Sequence, residues 1–436
     1  MSDEERENRS IIGAWKALNT SVLSIDQQRC AKVRNRNVSC LKCADACTSG
    51  CISVIDGALT IDASKCVGCG TCATVCPTCA LEPLNPNDAE LAEECLHAVS
   101  DKRVRIACSR VADALGDLAD NSSYAPVVCL GRVEESLVCS LAADGVTDIE
   151  LVCGRCEMCQ QKHGEVTARL VMESANTLLA AWKSDVRVSI TRDVPAGMLA
   201  DGVTRDEARD AYEAYFKTEC ACPPAPLDPS STAASSASAG DADGADGAGG
   251  ADDSDLPAIP KPALPDLPEI PTSALVLDKR LRANGLSHVM SDGTLPHFVP
   301  NRRERLLDAL ADLGEPDPAP ISSRLWGVVV IDGTKCSSCR MCATFCPTGA
   351  IRKWGDDSED GKFGVTHHPA DCVKCRSCED ICAEGAIEIR DETLPKYLME
   401  GAVHKYPMKT RPAELGTAQQ ILNTMRLKIP GNIYER

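Results

Sequence analysis

The sequence predicts two small α+β modules stapled by metal-ligating cysteines, one near each end of the chain, with an α/β parallel-sheet domain between them. Three observations carry this. Cysteines recur at short, fixed spacing at positions 40–76 and again at 336–382. From Val104 to Ile190, short β-branched runs alternate with helical stretches, the order that builds a parallel sheet flanked by helices. Residues 223–275 are dominated by Ser, Ala, Gly, Asp and Pro, a composition that buries too little apolar surface to order itself, so the chain is expected to divide into two arms there.

Residues 1–35 form an N-terminal extension that begins MSDEERENRS. Neither a secretory nor a twin-arginine signal is legible in it, since the Arg302-Arg303 pair lies far downstream. The 27 cysteines are therefore expected to serve metal chemistry in a reducing cytoplasm rather than disulfides. No stretch approaches the apolar length of a membrane span. A formal charge of −18 argues against nucleic-acid binding, which needs a basic face. Aromatic residues make up 3% of the chain, which suits modules stabilised more by ligation than by a large core.

The first module spans residues 36–84. Cys66, Cys69, Cys72 and Cys76 precede Pro77 in the pattern C-x2-C-x2-C-x3-C-P, and Cys336, Cys339, Cys342, Cys346 and Pro347 repeat it. The repeat extends beyond the thiols: Ile61-Asp62 matches Ile331-Asp332, and Cys72-Ala73-Thr74 matches Cys342-Ala343-Thr344. Each module carries a second run, Cys40, Cys43, Cys47 and Cys51 in the first and Cys372, Cys375, Cys378 and Cys382 in the second. Zinc ribbons pair two C-x2-C knuckles and have no use for this longer pattern. Both segments resemble bacterial-type dicluster ferredoxins. In that fold three thiolates come from one loop and the fourth cysteine of each run reaches the other cluster. The resemblance implies four [4Fe–4S] clusters, held by Cys40, Cys43, Cys47 and Cys76; by Cys66, Cys69, Cys72 and Cys51; by Cys336, Cys339, Cys342 and Cys382; and by Cys372, Cys375, Cys378 and Cys346. Ile52 and Ala383 stand where each second run could carry proline, and the first of these runs has a widened middle spacing.

The central domain spans residues 85–222. Val104–Ala107, Pro126–Val128, Ile149–Val152 and Val186–Ile190 read as strands, separated by helices near 110–119, 133–143 and 165–182. A cysteine follows each of the first three strands: Cys108, Cys129 and Cys153. Ligands of open α/β sheets bind outside the carboxyl ends of the strands, so these thiols should converge there with Cys156 and Cys159. Three separate buried thiols acting as small hydrophobes are the alternative. Cys129–Val133, Ala143–Val146, Leu151–Cys153, Cys159 and His163-Gly164 resemble the delta subunit of methyl-viologen-reducing hydrogenases. That resemblance implies a [2Fe–2S] cluster on Cys108, Cys129, Cys153 and either Cys156 or Cys159. This chain has one cysteine near the first strand where that family tends to a close pair, and it adds Cys156, which leaves a zinc or cluster-free thiol site open.

Residues 223–275 are the linker, 276–325 a connecting segment and 326–392 the second module. Residues 393–436 read as a tail that wraps a partner, with Met408, Leu422, Met425 and Ile429 at the contact. Cys220-Ala221-Cys222 reads as a redox pair or two free thiols, Cys79 as a spare near a cluster, and Cys30, Cys95 and Cys139 as ordinary residues. His367-His368 reads as surface. No G-x-G-x-x-G follows a strand and no Walker pattern occurs, so nucleotide and flavin binding lack support. The expectation is a multi-cluster electron-transfer subunit that docks a catalytic oxidoreductase subunit and an electron donor or acceptor protein. The alternative is an enzyme whose central domain performs two-electron thiol or small-molecule chemistry, fed by the ferredoxin clusters.

Overall fold

The computed structural model describes residues 22–159, 161–218, 276–279, 290–355 and 362–409. The first module runs β1 (Leu23–Asp26), α1 (Ala31–Arg34), α2 (Lys42–Asp45), β2 (Ile52–Ile55), β3 (Ala58–Ile61), α3 (Thr71–Val75) and β4 (Leu81–Pro83). β1 pairs antiparallel with β4, Ile25 opposite Leu81. β2 and β3 form a hairpin whose turn is Asp56-Gly57, with φ of +50° and +75°, the left-handed pair that a two-residue hairpin needs. Leu23, Ile25, Ile52, Leu59 and Leu81 close a small core around the thiols. The module thus begins at Leu23, ahead of residue 36, because β1 completes its sheet. A four-residue strand carries too little periodicity to be read from sequence.

The central domain follows with α4 (Asp88–His97), β5 (Arg103–Cys108), α5 (Ser109–Leu115), β6 (Ala125–Val127), α6 (Glu135–Ala143), β7 (Asp148–Val152), α7 (His163–Ala181), β8 (Arg187–Thr191) and α8 (Arg205–Thr218). Asn87 caps α4 through a reciprocal pair with Glu90. The four strands form one parallel sheet in the order β6-β5-β7-β8. Right-handed crossovers put α5 on one face and α6 and α7 on the other; α5 packs with α8, whereas α6 packs with α4 and α7. The strand order reverses between β5 and β7, and the carboxyl ends of those two strands therefore flank the switch point where such sheets hold ligands.

Beyond the linker come β9 (Val276–Lys279), α9 (Asn301–Asp312), β10 (Ile321–Ser322), β11 (Val328–Ile331), α10 (Met341–Thr344), β12 (Ile351–Gly355), β13 (Phe363–His367), α11 (Ser377–Ile381), β14 (Ile387–Arg390), β15 (Glu392–Thr393), α12 (Pro395–Met399) and β16 (His404–Met408). β11 pairs antiparallel with β14, β10 with β15, and β13 lies between β12 and β16. The start of the expected tail thus closes this module's own sheet, and Met408 is buried in its core rather than offered to a partner. Leu422, Met425, Ile429, Cys220 and Cys222 lie outside the described residues. His367 is not at the surface. It is fully buried on β13, with the His404 ring edge-on at 5.8 Å.

The two arms are joined. All described residues fall in one compact unit, and β9 pairs in parallel with β1 of the first module. α9 packs along α6, and Leu306, Leu310 and Trp326 share a core with Cys139, Leu178 and Trp182 of the central domain. Asp88 accepts from Arg132 Nη2 at 2.5 Å, Arg305 Nη2 at 2.8 Å and Arg302 Nε at 3.2 Å, while Arg302 Nη1 also donates to Ala73 O at 2.7 Å. The modules meet directly too: Ala31 and Val38 share an apolar cluster with Leu295, Met341, Phe345 and Ile381, bordered by Cys40 and Cys375.

Candidate metal centres

In the second module, α10 and α11 carry Cys342 and Cys378 in their first turns, and Cys346 and Cys382 follow just beyond each helix. This folding brings distant thiols together. The Cys342 thiol is pushed upward by burial and by Cys339, Cys336 and Cys382. Cys378 is raised by burial, then by Cys375, Cys372 and Cys346, and Cys375 is pushed up to about 12 by burial and Cys346. In the first module Cys72 sits on α3 and is raised by burial and by Cys69, Cys43, Cys47 and Cys51. Cys43 is pushed up to about 12 by burial, then by Cys76, Cys30 and Cys40. Cys47 Sγ lies 3.5 Å from Cys51 Sγ, and Cys51 holds the Cys66 thiol below the usual range against the opposing effect of burial.

Cys43, Cys72, Cys342, Cys375 and Cys378 are disfavoured as free thiolates, because burial and the neighbouring thiols both favour the neutral form. With an iron–sulfur cluster bound, these cysteines would hold it as thiolates, its cationic core offsetting their charge. Backbone donors are already aimed at sulfur: Ala80 N–H to Cys76 Sγ and Ala386 N–H to Cys382 Sγ, both at 3.3 Å, and Ser338 N–H to Cys336 Sγ at 3.4 Å. Such donors stabilise thiolates and tune cluster potentials. Among the described residues, no group of three or more His, Cys, Asp or Glu side chains is drawn in around a single ion, where thiolates would stand at about 2.3 Å from the metal. Groups of thiols with backbone N–H donors aimed at sulfur are the donor set an iron–sulfur cubane uses.

The central cysteines converge. Cys108, Cys129, Cys153, Cys156 and Cys159 line one cavity at the switch point. Cys153 is held below the usual thiol range by a hydrogen bond from Cys156, against the opposing effect of burial. Cys129 is pushed up to about 12, by burial first and then by Cys69, Cys108 and Cys159. Two glycines permit the approach. A Cβ on Gly164, at the start of α7, would collide with Cys129 Sγ, and one on Gly131 would collide with Thr71 Oγ1 and the Gly164 backbone. The Cys129 loop is thereby pressed between α7 and the cysteine helix α3.

The neighbourhoods form a row. The central cavity adjoins Cys69 through Cys129. The Cys66, Cys69 and Cys72 group adjoins Cys43 through Cys72. Arg34 bridges the modules, donating to Pro296 O at 2.8 Å and Cys346 O at 3.4 Å, and burial lowers its pKa to about 10 against the opposing effect of Cys346 and Cys375. Ser39 donates to Asp380 Oδ2 from its N–H at 2.7 Å and its Oγ at 2.8 Å. At the far end, Cys339 is exposed.

Residues 335–386 match the family model of the 4Fe-4S dicluster domain, and residues 59–82 match that of the 4Fe-4S binding domain. Both arms carry 4Fe–4S ferredoxin-type domains. No curated protein matches the chain, and no solved structure matches it. The matched segment of the first module excludes Cys40–Cys51, the run with irregular spacing. Sequence reasoning gave Arg34 no role and weighed Arg302-Arg303 only as a targeting pair, because a buried arginine between modules has no spacing signature. Arg303 donates to Cys372 O at 3.2 Å with its guanidinium 4.3 Å from the Trp326 ring centroid.

Proposed function

We propose that this chain relays single electrons through four [4Fe–4S] clusters and a fifth centre, as a subunit of a cytoplasmic oxidoreductase complex. The observation that supports it is the row of thiol neighbourhoods, from the central cavity through the Cys69 and Cys40 groups to the Cys375 and Cys339 groups. Each neighbourhood offers a full set of thiols, which suits outer-sphere transfer rather than substrate ligation. Both ends meet solvent: Cys339 at one, and the exposed apolar Val128 and Met158 beside the central cavity at the other, where a donor or acceptor protein would dock. Among the described residues no helix is long and apolar enough to cross a membrane. The fifth centre is a [2Fe–2S] cluster on Cys108, Cys129 and Cys153 with Cys156 or Cys159, as the likeness to hydrogenase delta subunits suggests.

A second reading rests on Cys153 and Cys156 lining the same cavity, where Cys156 holds the Cys153 thiol below the usual range. A thiolate with a partner thiol in an apolar cavity can perform dithiol chemistry on a small molecule, fed one electron at a time from the Cys69 cluster. Anaerobic reconstitution separates the two. The relay predicts about sixteen iron and sixteen sulfide for the cubanes and about two more of each for the centre. Cys129→Ser should then remove the smaller complement and one spectroscopic signal, leaving the cubane signals. Unchanged iron and spectra in that variant would favour the dithiol.

A further inference from the structure

The four cysteine runs align through the short helix and turn that each contains. In three of them the third cysteine is the second helical residue, Cys72, Cys342 and Cys378, and the fourth follows four residues later, Cys76, Cys346 and Cys382. Three residues further on, the backbone is left-handed, at Cys79 (+48°), Gly349 (+69°) and Gly385 (+56°). The N–H groups of Cys79 and Gly385 donate to the carbonyl of the fourth cysteine at 3.4 and 3.1 Å. Thr78 and Thr348 set hydroxyls 3.7 and 3.9 Å from the sulfurs of Cys76 and Cys346. A strand then begins at Leu81, Ile351 and Ile387.

α2 repeats every one of these features one position off from the spacing-based reading. Cys43 is its second residue and Cys47 follows four later. Gly50 is left-handed at +61° and donates to Cys47 O at 3.3 Å. Ser49 Oγ lies 3.4 Å from Cys47 Sγ, and the strand begins at Ile52. Cys47 is therefore a fourth cysteine, Cys43 a third and Cys40 a second, which leaves Asn37 where a first belongs. The loop differs to match. The other runs use left-handed residues at Gly68 and Gly70, Ser338 and Arg340, Lys374 and Arg376, whereas Ser39 and Leu41 are not left-handed. Cys51 falls where Ala80, Ala350 and Ala386 stand.

One buried thiol outside the runs lies beside these ligands. Cys30 precedes α1 and shares the small core of the first module with Cys43 and Cys76, and Cys76 and Cys40 act on its thiol as they do on Cys43. We propose that Cys30 supplies the missing ligand, so that Cys30, Cys40, Cys43 and Cys76 hold one cluster, Cys47 completes the cluster of Cys66, Cys69 and Cys72, and Cys51 is a spare thiol. This rests on the four-cubane reading above. It also ties the segment carrying Arg34, which reaches the second module, to the cluster at the module boundary.

The test is iron and sulfide content with electron paramagnetic resonance of the reduced, full-length protein. Cys30→Ser and Cys47→Ser should each lose about four iron and one cubane signal, while Cys51→Ala and Cys95→Ser, a buried thiol remote from the runs, keep the wild-type load. Cys30→Asp, which keeps an anionic ligand, should shift one signal and leave the others, a result that misfolding does not produce. Wild-type iron and spectra in Cys30→Ser, or cluster loss in Cys51→Ala with none in Cys47→Ser, would overturn the assignment. A wild-type load near eight iron would instead refute the four-cubane reading itself.

Discussion

Replacing Asp88 by Asn removes one charge from a contact shared by three arginines, two of which, Arg302 and Arg305, lie beyond the linker. Burial pushes this carboxyl upward, but the guanidiniums of Arg302, Arg132 and Arg305 outweigh it and hold the pKa at about 2 against an ordinary 3.8. Each pKa unit is worth about 1.4 kcal/mol, so the ionised form contributes about 2 kcal/mol to the folded state. The carboxylate side chain is 23% exposed, and solvent screens it little. Because the folded pKa is depressed, this contribution is complete above the unfolded value and is lost only as pH falls through about 2. Asp88→Asn should therefore lower the unfolding temperature by the same amount at pH 6 and pH 8, read by circular dichroism under anaerobic conditions. An unchanged unfolding temperature, or a deficit that grows or vanishes between those pH values, would refute the claim that this carboxylate staples the two arms.

Gly164→Ala should displace Cys129, because the new methyl occupies the space of its sulfur; the expected result is loss of the central centre's signal with both ferredoxin modules intact, checked by resonance spectra and iron content. Truncation separates the two parts of the C-terminal segment. Removing residues 401–436 takes away β16 and Met408 from the core of the second module and should cost that module cluster occupancy, whereas removing 410–436 should leave the cluster content unchanged.

The two consensus runs and the strand-end cysteines were legible because ligation demands fixed spacing and a parallel sheet demands buried β-branched runs. The four central strands fall where the sequence placed them, with Cys108, Cys129 and Cys153 at their ends. At the run of Cys40, spacing alone treats every thiol as a ligand, whereas the proposed register follows Cys43-Ala44, which matches Cys72-Ala73 and Cys342-Ala343. Module docking was illegible for a different reason. Arg34, Arg302 and Asp88 meet partners hundreds of positions away, and no local pattern encodes such contacts. Met408 misled similarly, since an apolar residue in a short terminal strand looks the same whether it serves its own sheet or a partner.

Electron transfer from one ferredoxin module to the other within this chain requires the modules to stay docked without help from the linker. The direct measurement introduces a protease site after Ala234, cuts the loaded protein anaerobically and follows both size and the reduced-state resonance spectrum. The docked interface at Arg34, Ser39 and Asp88 predicts that the two brown fragments co-elute and that the spectrum keeps any magnetic interaction between clusters seen before cleavage. Fragments that separate, with a spectrum equal to the sum of two isolated modules, would contradict it.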